Sequence, residues 1–482
     1  MLKSTLLGTA LLVSAVSSVS AADLDWGVQL PVPQIPGYNF PEPEATVLGW
    51  VNANQANNIY LHGWGLWDAL TSPSGTTAYG IADAPVYLTW VTREDLVAAS
   101  KVPAPGLLAT SRRLRLGEVT QLRKFGVHSM EPKAMTTLKA AAGITPDTNT
   151  LETVTYDPQA GQTIYNGKLF QLATLKQLYT AGQPEVPAFP VNALAVKPVY
   201  KVASKATLYQ GRYYVMPAWP GTPEVTPAIK RKGFGEADWN AGCVYVDTQN
   251  SGSSTAKAVD PACSGPTPAT TYGLGDFVHY TLTADNAKLF DLGNGKGAAA
   301  PGDTLLLMAM HVSTREITEW TWQTFFWTPD PANPPLPSSA AAGAARPAQL
   351  TGSAAHYAAS FAYEMVDPNQ PVDGGTSTGA PVVGYNPYLE AGFKAKVFSI
   401  SRPIVSAPGG TSWTGTVGVQ TNCMTCHSLA AVRFAKGTAP GYGTDFYIAR
   451  NDPYFTGTVQ TEFLWSIADV DSGQQKTSEA PK

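Results

Sequence analysis

Short runs of β-branched and aromatic residues recur along almost the whole chain. Val86–Val91 (VYLTWV), Leu194–Val202 (LAVKPVYKV), Arg212–Met216, Phe277–Thr283 (FVHYTLT), Thr304–Val312 (TLLLMAMHV) and Glu319–Trp327 (EWTWQTFFW) read as strands. Helical periodicity is rarer. Thr92–Ser100 starts with Thr92 and Asp95 at capping positions. Leu169–Ala181 places Leu169, Leu172, Leu175, Leu178 and Tyr179 near one face and stops at Gly182. Ser353–Met365 is Ala-rich and predicts a third helix. Between these lie Gln249–Thr271, Thr328–Gly352 and Asp367–Pro381, rich in Pro, Gly, Ser and Ala, which read as surface loops. No repeat at a fixed period is visible. The pattern predicts a β-rich α+β protein. A soft boundary near Gly221–Gly235 divides a part over 22–230 from one over 231–482, and the two can equally form one domain.

The chain opens differently. Met1-Leu2-Lys3 gives a positive start, Leu6 to Val19 is apolar or small without charge, and Val19-Ser20-Ala21 or Ser20-Ala21-Ala22 offers small residues for cleavage. This order predicts a secretory signal peptide over 1–21. Its apolar run is short for a membrane span, and no later stretch is long and apolar enough. An exported chain with no membrane span after processing is expected. Of 482 residues, 44% are apolar and only 14% charged, against about one quarter charged in ordinary domains. Lys+Arg 32 against Asp+Glu 36 gives −4. No basic excess exists to neutralise phosphates, so nucleic acid is not an expected partner.

The chemistry concentrates in four cysteines. Cys423-Met424-Thr425-Cys426-His427 is a C-x-x-C-H pentapeptide, the attachment pattern of haem c. Two thiols must reach two vinyl groups on the macrocycle edge, and the adjacent imidazole must reach the iron. On a helix, Cys423 precedes Cys426 by three and His427 by four, so all three share one face. Thr421 or Asn422 can cap that helix, and Ser428–Lys436 can continue it. Chance supplies on the order of 10⁻⁴ to 10⁻³ such patterns in this composition. Two other chemistries use C-x-x-C: a thiol redox pair, which wants a thioredoxin-like βαβ context, and half of a zinc site, which wants a second ligand pair. The remaining thiols, Cys243 and Cys263, are expected to form a disulfide in an exported setting; two unrelated free thiols are the alternative.

A second axial ligand is not obvious. After His427 the chain has neither Met nor His, so a sixth ligand comes from upstream or the position is open. The upstream histidines are His62, His128, His279, His311 and His356, and the plausible methionines are Met308, Met310 and Met365. In LLLMAMHV, strand alternation puts Met308 and Met310 on one face and His311 on the other. A haem can meet only one of those faces. His311 is the distal candidate, and a His/His pair would lower the potential relative to Met/His.

The stretch 308–327 (MAMHVSTREITEWTWQTFFW), with TNCMTCHSLA at 421–430 and TEFLWSI at 461–467, resembles a family of large exported bacterial cytochrome c proteins that carry one late C-x-x-C-H. Weaker echoes are HGWGLWDAL (62–70), FPVNALAVKPVY (189–200) and NPYLE (386–390). The resemblance implies one covalent haem c, an exported bacterial setting, periplasmic or secreted, and a functional or structural role for His311, but supplies no substrate. Trp320, Trp322 and Trp327 in this stretch read as core and haem-wall packing rather than electron relays. Three other motifs lack their context: Gly375–Gly379 (G-x-S-x-G) between prolines, the glycine-rich 293–297, and Asp367, Asn369 and Asp373 interrupted by Pro371.

Three functions are compatible with these residues. The first is an electron carrier serving exported redox partner proteins through haem held by Cys423, Cys426 and His427. The second is a peroxidase- or oxygenase-like haem enzyme with an open distal position. The third is a non-catalytic haem-bearing binding or sensor subunit. The fold expected is a large β-rich α+β domain with a haem-bearing helix near the C-terminus, unlike a small all-helical cytochrome.

Overall fold

A computed structural model describes residues 25–101, 144, 146–147, 150–219, 221–222, 242–290, 298–370, 379–390, 401–403, 412–414, 421–435, 444 and 446–468. The predicted signal peptide, His128, the 293–297 turn, Asp373 and most of the 221–235 boundary lie outside them.

The fold is α+β with substantial sheet. Its helices are α1 (Glu44–Asn52), α2 (Ala56–Thr71), α3 (Arg93–Lys101), α4 (Pro158–Asn166), α5 (Leu172–Thr180), α6 (Ala340–Ala344), α7 (Cys423–Ser428) and α8 (Trp465–Ala468). The main sheet is built from β1 (Val91–Thr92), β2 (Leu151–Glu152), β3 (Thr155–Tyr156), β4 (Leu194–Ala203), β8 (His279–Thr281), β9 (Thr304–Thr314), β10 (Thr321–Trp327) and β11 (Tyr357–Ala362). Its order is β1-β3-β4-β9-β10-β11, with β2 also on β4 and β8 also on β9, all antiparallel. A smaller sheet joins β5 (Tyr213–Pro217), β6 (Cys243–Asp247) and β7 (Thr271–Gly273). Short two-stranded pairs follow: β12 (Val366–Asp367) with β13 (Ala380–Pro381), β14 (Ser401–Pro403) with β15 (Ser412–Thr414), and β16 (Ala431–Arg433) with β17 (Thr458–Gln460).

The ladder between β4 and β9 organises everything else. It runs from Leu194 opposite Thr314 to Ala203 opposite Thr304, with one bulge at Val199/Tyr200. β4 precedes residue 230 and β9 follows it, so sequence from both sides of the expected boundary shares one sheet. Opposite residues in an antiparallel pair point the same way. Val196, Met310, Val312 and Phe325 therefore share one face and enter a large aromatic core with Trp64, Trp67 and Trp327. Ala195, Lys197, His311, Ser313 and Trp322 share the other. That second face is covered by α7, α8 and the β16–β17 pair, whose Met424, Ile467 and Val459 form a second core with Ala195 and Trp322.

Local chemistry explains several boundaries. Thr92 and Asp95 form the expected reciprocal cap on α3, with Asp95 N–H donating to Thr92 Oγ1 and Thr92 N–H to Asp95 Oδ2, both 3.0 Å. The helix predicted over 169–181 is α5, which closes at Gly182 with φ +75°. Two expectations are corrected. Val86–Val91 is not one strand: Val86–Thr89 is a buried 3₁₀ turn after Pro85, and only Val91–Thr92 pairs. Ser353–Met365 is not a helix: Gly352–His356 is 3₁₀, and Tyr357–Ala362 pairs residue by residue with β10. The ladder with Trp322–Trp327 overrides the modest helix preference of the alanines.

The expected disulfide is present. Cys243 and Cys263 are bridged, Cα–Cα 5.2 Å, tying β6 to the loop before β7.

Candidate functional site: a cleft over the C-x-x-C-H helix

α7 is held by its cap. Asn422 is fully buried; its Oδ1 accepts the Thr425 N–H at 3.0 Å. Its amide nitrogen donates to the carbonyls of Glu364 (3.0 Å) and Val382 (2.8 Å). Of the two capping candidates, Asn422 is therefore the cap, while the Thr421 hydroxyl donates to Thr444 at 2.6 Å. The helix is shorter than expected. It ends at Ser428 and the chain turns into β16, because Ala431–Arg433 pairs with β17 instead of extending the helix over 428–436.

Cys423, Cys426 and His427 all line one cleft beneath the second face of the main sheet. His311, Ser313, Lys197 and Trp322 form its roof, Leu464, Trp465 and Ser466 one wall, and Glu390 another. Strand alternation decides which ligand candidate arrives there. His311 faces the cleft, while Met308 and Met310 are buried in the aromatic core behind the sheet. The other described histidines are engaged elsewhere: His62 with Tyr363 and Glu316, His279 with the Phe277 carbonyl, His356 with Asp276. Met365 belongs to the second core and does not line the cleft.

His427 is oriented from two sides. Its Nδ1 donates to the Phe463 carbonyl at 2.8 Å, and the Trp322 ring packs on it with centroids 4.0 Å apart and planes 31° from parallel. Donation from Nδ1 leaves the lone pair on Nε2, the arrangement a ligating imidazole requires. The loop that supplies this carbonyl is unusual. Glu462 and Phe463 both have positive φ, 49° and 63°, a region that costs non-glycine residues about 1–3 kcal/mol each and persists where surroundings enforce it. Here Arg315 donates to Glu462 at 2.9 Å, and Thr461 N–H donates to the Ala430 carbonyl at 3.0 Å. These contacts explain what TEFLWSI does: it hangs the His427 acceptor from the strand that follows α7. Trp465 adds an indole hydrogen bond to the Cys426 carbonyl at 3.0 Å.

Burial sets the protonation states. It pushes the Cys426 thiol up to about 12, with the Glu390 charge adding to the effect, and raises Cys423 for the same reasons. The two thiols are not bridged to each other. A reactive redox pair needs a stabilised thiolate, and this site opposes one. Burial also pushes His427 down to about 3, against the hydrogen bond to Phe463, so the imidazole is neutral.

Among the described residues, no three His, Cys, Asp or Glu side chains converge on a point that a bare metal ion could fill. The donor set instead suits a flat, mostly apolar group. The thiols line it together with a neutral imidazole whose Nδ1 is satisfied, and Val154, Ala195, Trp322, Leu464 and Trp465 supply apolar walls. The residues fit haem c.

Three participants escape a reading by motif. Lys197 is a charged residue at an inward position of a strand, 2.6 Å from the buried Glu152; that break in the alternation is its signal. Glu390 and Asn386 lie in NPYLE, where the sequence carries no chemistry of its own. Trp322, by contrast, is read from the sequence with Trp320 and Trp327 as core and haem-wall packing, and of the three it is the one that lines the cleft.

No family model matches the chain, and no curated protein or solved structure matches it.

Proposed function

We propose that this is an exported c-type cytochrome that carries one haem c in the cleft and exchanges single electrons with exported redox partner proteins of the bacterial periplasm. Cys423 and Cys426 form the two thioethers, and His427 is the proximal ligand through Nε2. The observation that carries the reading is the placement of both unbridged thiols and the oriented imidazole around one cleft. Bound haem supplies a one-electron couple whose potential depends on axial ligation and burial. The chain's own contribution is to fix the His427 tautomer through Phe463, to hold Trp322 against that ring and to exclude water with the Trp465 wall.

A second reading, a haem enzyme with an open distal position, is favoured by one specific observation. The imidazole of His311 is not idle in the cleft; its Nε2 is bound to Glu390 at 2.9 Å.

The test is expression with a signal peptide in a host that matures c-type haem, followed by a denaturing gel stained for haem and a pyridine haemochrome spectrum. Wild-type protein should retain haem after denaturation and acid–acetone extraction. Cys423→Ala or Cys426→Ala should show the shifted spectrum of a single thioether, and the double variant should lose covalent haem. Wild-type protein without covalent haem overturns the proposal.

A further inference from the structure

We propose that Glu390 tethers His311 away from the iron, so that haem in this cleft keeps an open sixth position where a small protic ligand HX binds and gives its proton to His311. The inference rests on the haem reading above and goes beyond it by assigning the distal side.

Nε2 is the nitrogen at the tip of a histidine and the one that reaches out from a strand. Nδ1 adjoins Cβ, so ligation through it would press the backbone of β9 onto the macrocycle. In this cleft Nε2 is already committed to Glu390 Oε1 at 2.9 Å. Glu390 is itself fixed. Its Oε2 accepts the Asn386 N–H at 2.6 Å, and its own N–H donates to the Asn386 carbonyl at 2.8 Å. Asn386 is fully buried, and its side-chain amide donates to Thr324 Oγ1 at 2.7 Å and to the Phe325 carbonyl at 3.1 Å. The tether therefore runs from His311 on β9 through Glu390 and Asn386 back to β10, the neighbouring strand. Moving Nε2 onto iron would break the first bond of this chain and strand a mostly buried carboxylate.

The same contacts fix the tautomer. An ionised carboxylate only accepts, so in a neutral His311 paired with one Nε2 carries the proton and Nδ1 the lone pair. No hydrogen bond from a described residue reaches Nδ1. The cleft thus holds, in the same lining as His427, a nitrogen that can accept a proton, with a carboxylate behind it to offset the charge of the imidazolium. With haem bound, the step would balance without any oxidant: heterolysis of the H–X bond would leave the proton on Nδ1 and X⁻ for the iron, and no electron would move.

Cyanide is the probe, with the ferric holoprotein read by optical and electron paramagnetic resonance spectra. Wild-type protein should be high-spin, and hydrogen cyanide should convert it to low-spin. His311→Ala should stay high-spin and bind cyanide about tenfold more weakly, the scale of one lost charge-assisted contact. Glu390→Ala should become low-spin without any added ligand, because the released imidazole reaches the iron; Glu390→Ala/His311→Ala should revert to high-spin. Glu390→Gln keeps an acceptor for Nε2 and should stay high-spin. A low-spin wild-type spectrum overturns the inference while leaving covalent haem, and the function proposed above, intact. A Glu390→Ala variant that stays high-spin also overturns it. Absence of covalent haem removes both readings together.

Discussion

Asn422→Ala is the sharpest test of how the motif helix is held. Asn422 is fully buried and makes three hydrogen bonds: it caps α7 at Thr425 N–H (3.0 Å) and donates to the carbonyls of Glu364 (3.0 Å) and Val382 (2.8 Å). Losing a cap costs about 1 kcal/mol. Each deserted, part-buried carbonyl costs about 1–2 kcal/mol, the lower part of the range for an unsatisfied group because a carbonyl can share other donors. The sum, about 3–5 kcal/mol, is a large share of an ordinary domain's stability. Two further variants separate the terms. Asn422→Ser keeps a capping oxygen and loses the reach to both carbonyls, so it should lose about 2–4 kcal/mol. Asn422→Asp keeps the cap but turns an acceptor toward two acceptors, and should be worse than the serine. Urea unfolding followed by tryptophan fluorescence measures this, provided the slope is unchanged between variants. An alanine variant within about 1 kcal/mol of wild type would refute the reasoning, as would an aspartate variant no worse than serine.

Three other perturbations probe separate parts of the fold. Cys243→Ser/Cys263→Ser opens a crosslink of sequence separation 20 and should cost about 3 kcal/mol in the same urea assay; reducing the wild type should give a similar loss. Gly63→Ala, within α2, should destabilise by about 1–3 kcal/mol despite alanine's better helix propensity, because its Cβ would meet Phe361 Cε1 at 2.2 Å; a rise in melting temperature would contradict the packing. Asp157 caps α4 and is buried, and burial outweighs its three backbone N–H donors to push its carboxyl up to about 7. The folded state therefore keeps a proton that the unfolded chain releases near pH 4, so this group's contribution falls as pH rises from about 4 to 7. Asp157→Asn should flatten that part of the stability profile measured by thermal melting, and an unchanged slope would remove Asp157 as its source.

What the sequence discloses and what it hides follow the range of the interactions. Cys423, Cys426 and His427 are legible because their chemistry fits within one turn of helix, and Asn422 is legible as a cap for the same reason. The opposition of His311 to Met308 and Met310 is legible because alternation along a strand is local; which face meets the cleft is not, since that depends on where α7 and α8 pack. Glu390 is 79 residues from His311, and Lys197 comes to lie opposite it only through the β4–β9 register. The misread segments have the same cause. Tyr357–Ala362 looks helical by composition and is a strand because β10 offers it a full ladder. Val86–Thr89 looks like a strand and is a turn because it closes over the core, with Thr89 Oγ1 donating to the Val86 carbonyl at 2.8 Å.

The length of the chain is a puzzle when one small motif carries the chemistry, and the register of the main sheet gives a physical answer. The cleft takes its roof from β4, β9 and β10. A sheet that offers one face to a cleft must bury the other, or its apolar strands would face water. That other face carries Met308, Met310, Val312 and Phe325, and it is closed by Trp64, Trp67 and the turn around Tyr87, drawn from the first hundred residues. A short helix such as α7 cannot by itself fix a histidine opposite its own, because the partner has to come from a separately stabilised element. In this chain the aromatic core makes β9 rigid, β9 and β10 fix His311 and Asn386, and Asn386 aligns Glu390. The aromatic core and the main sheet thus set where His311 and Glu390 stand at the cleft. Weakening the aromatic core far from the cleft, at Gly63 for example, should loosen the His311–Glu390 contact before it affects Cys423 and Cys426 on α7, whose geometry is set locally by Asn422.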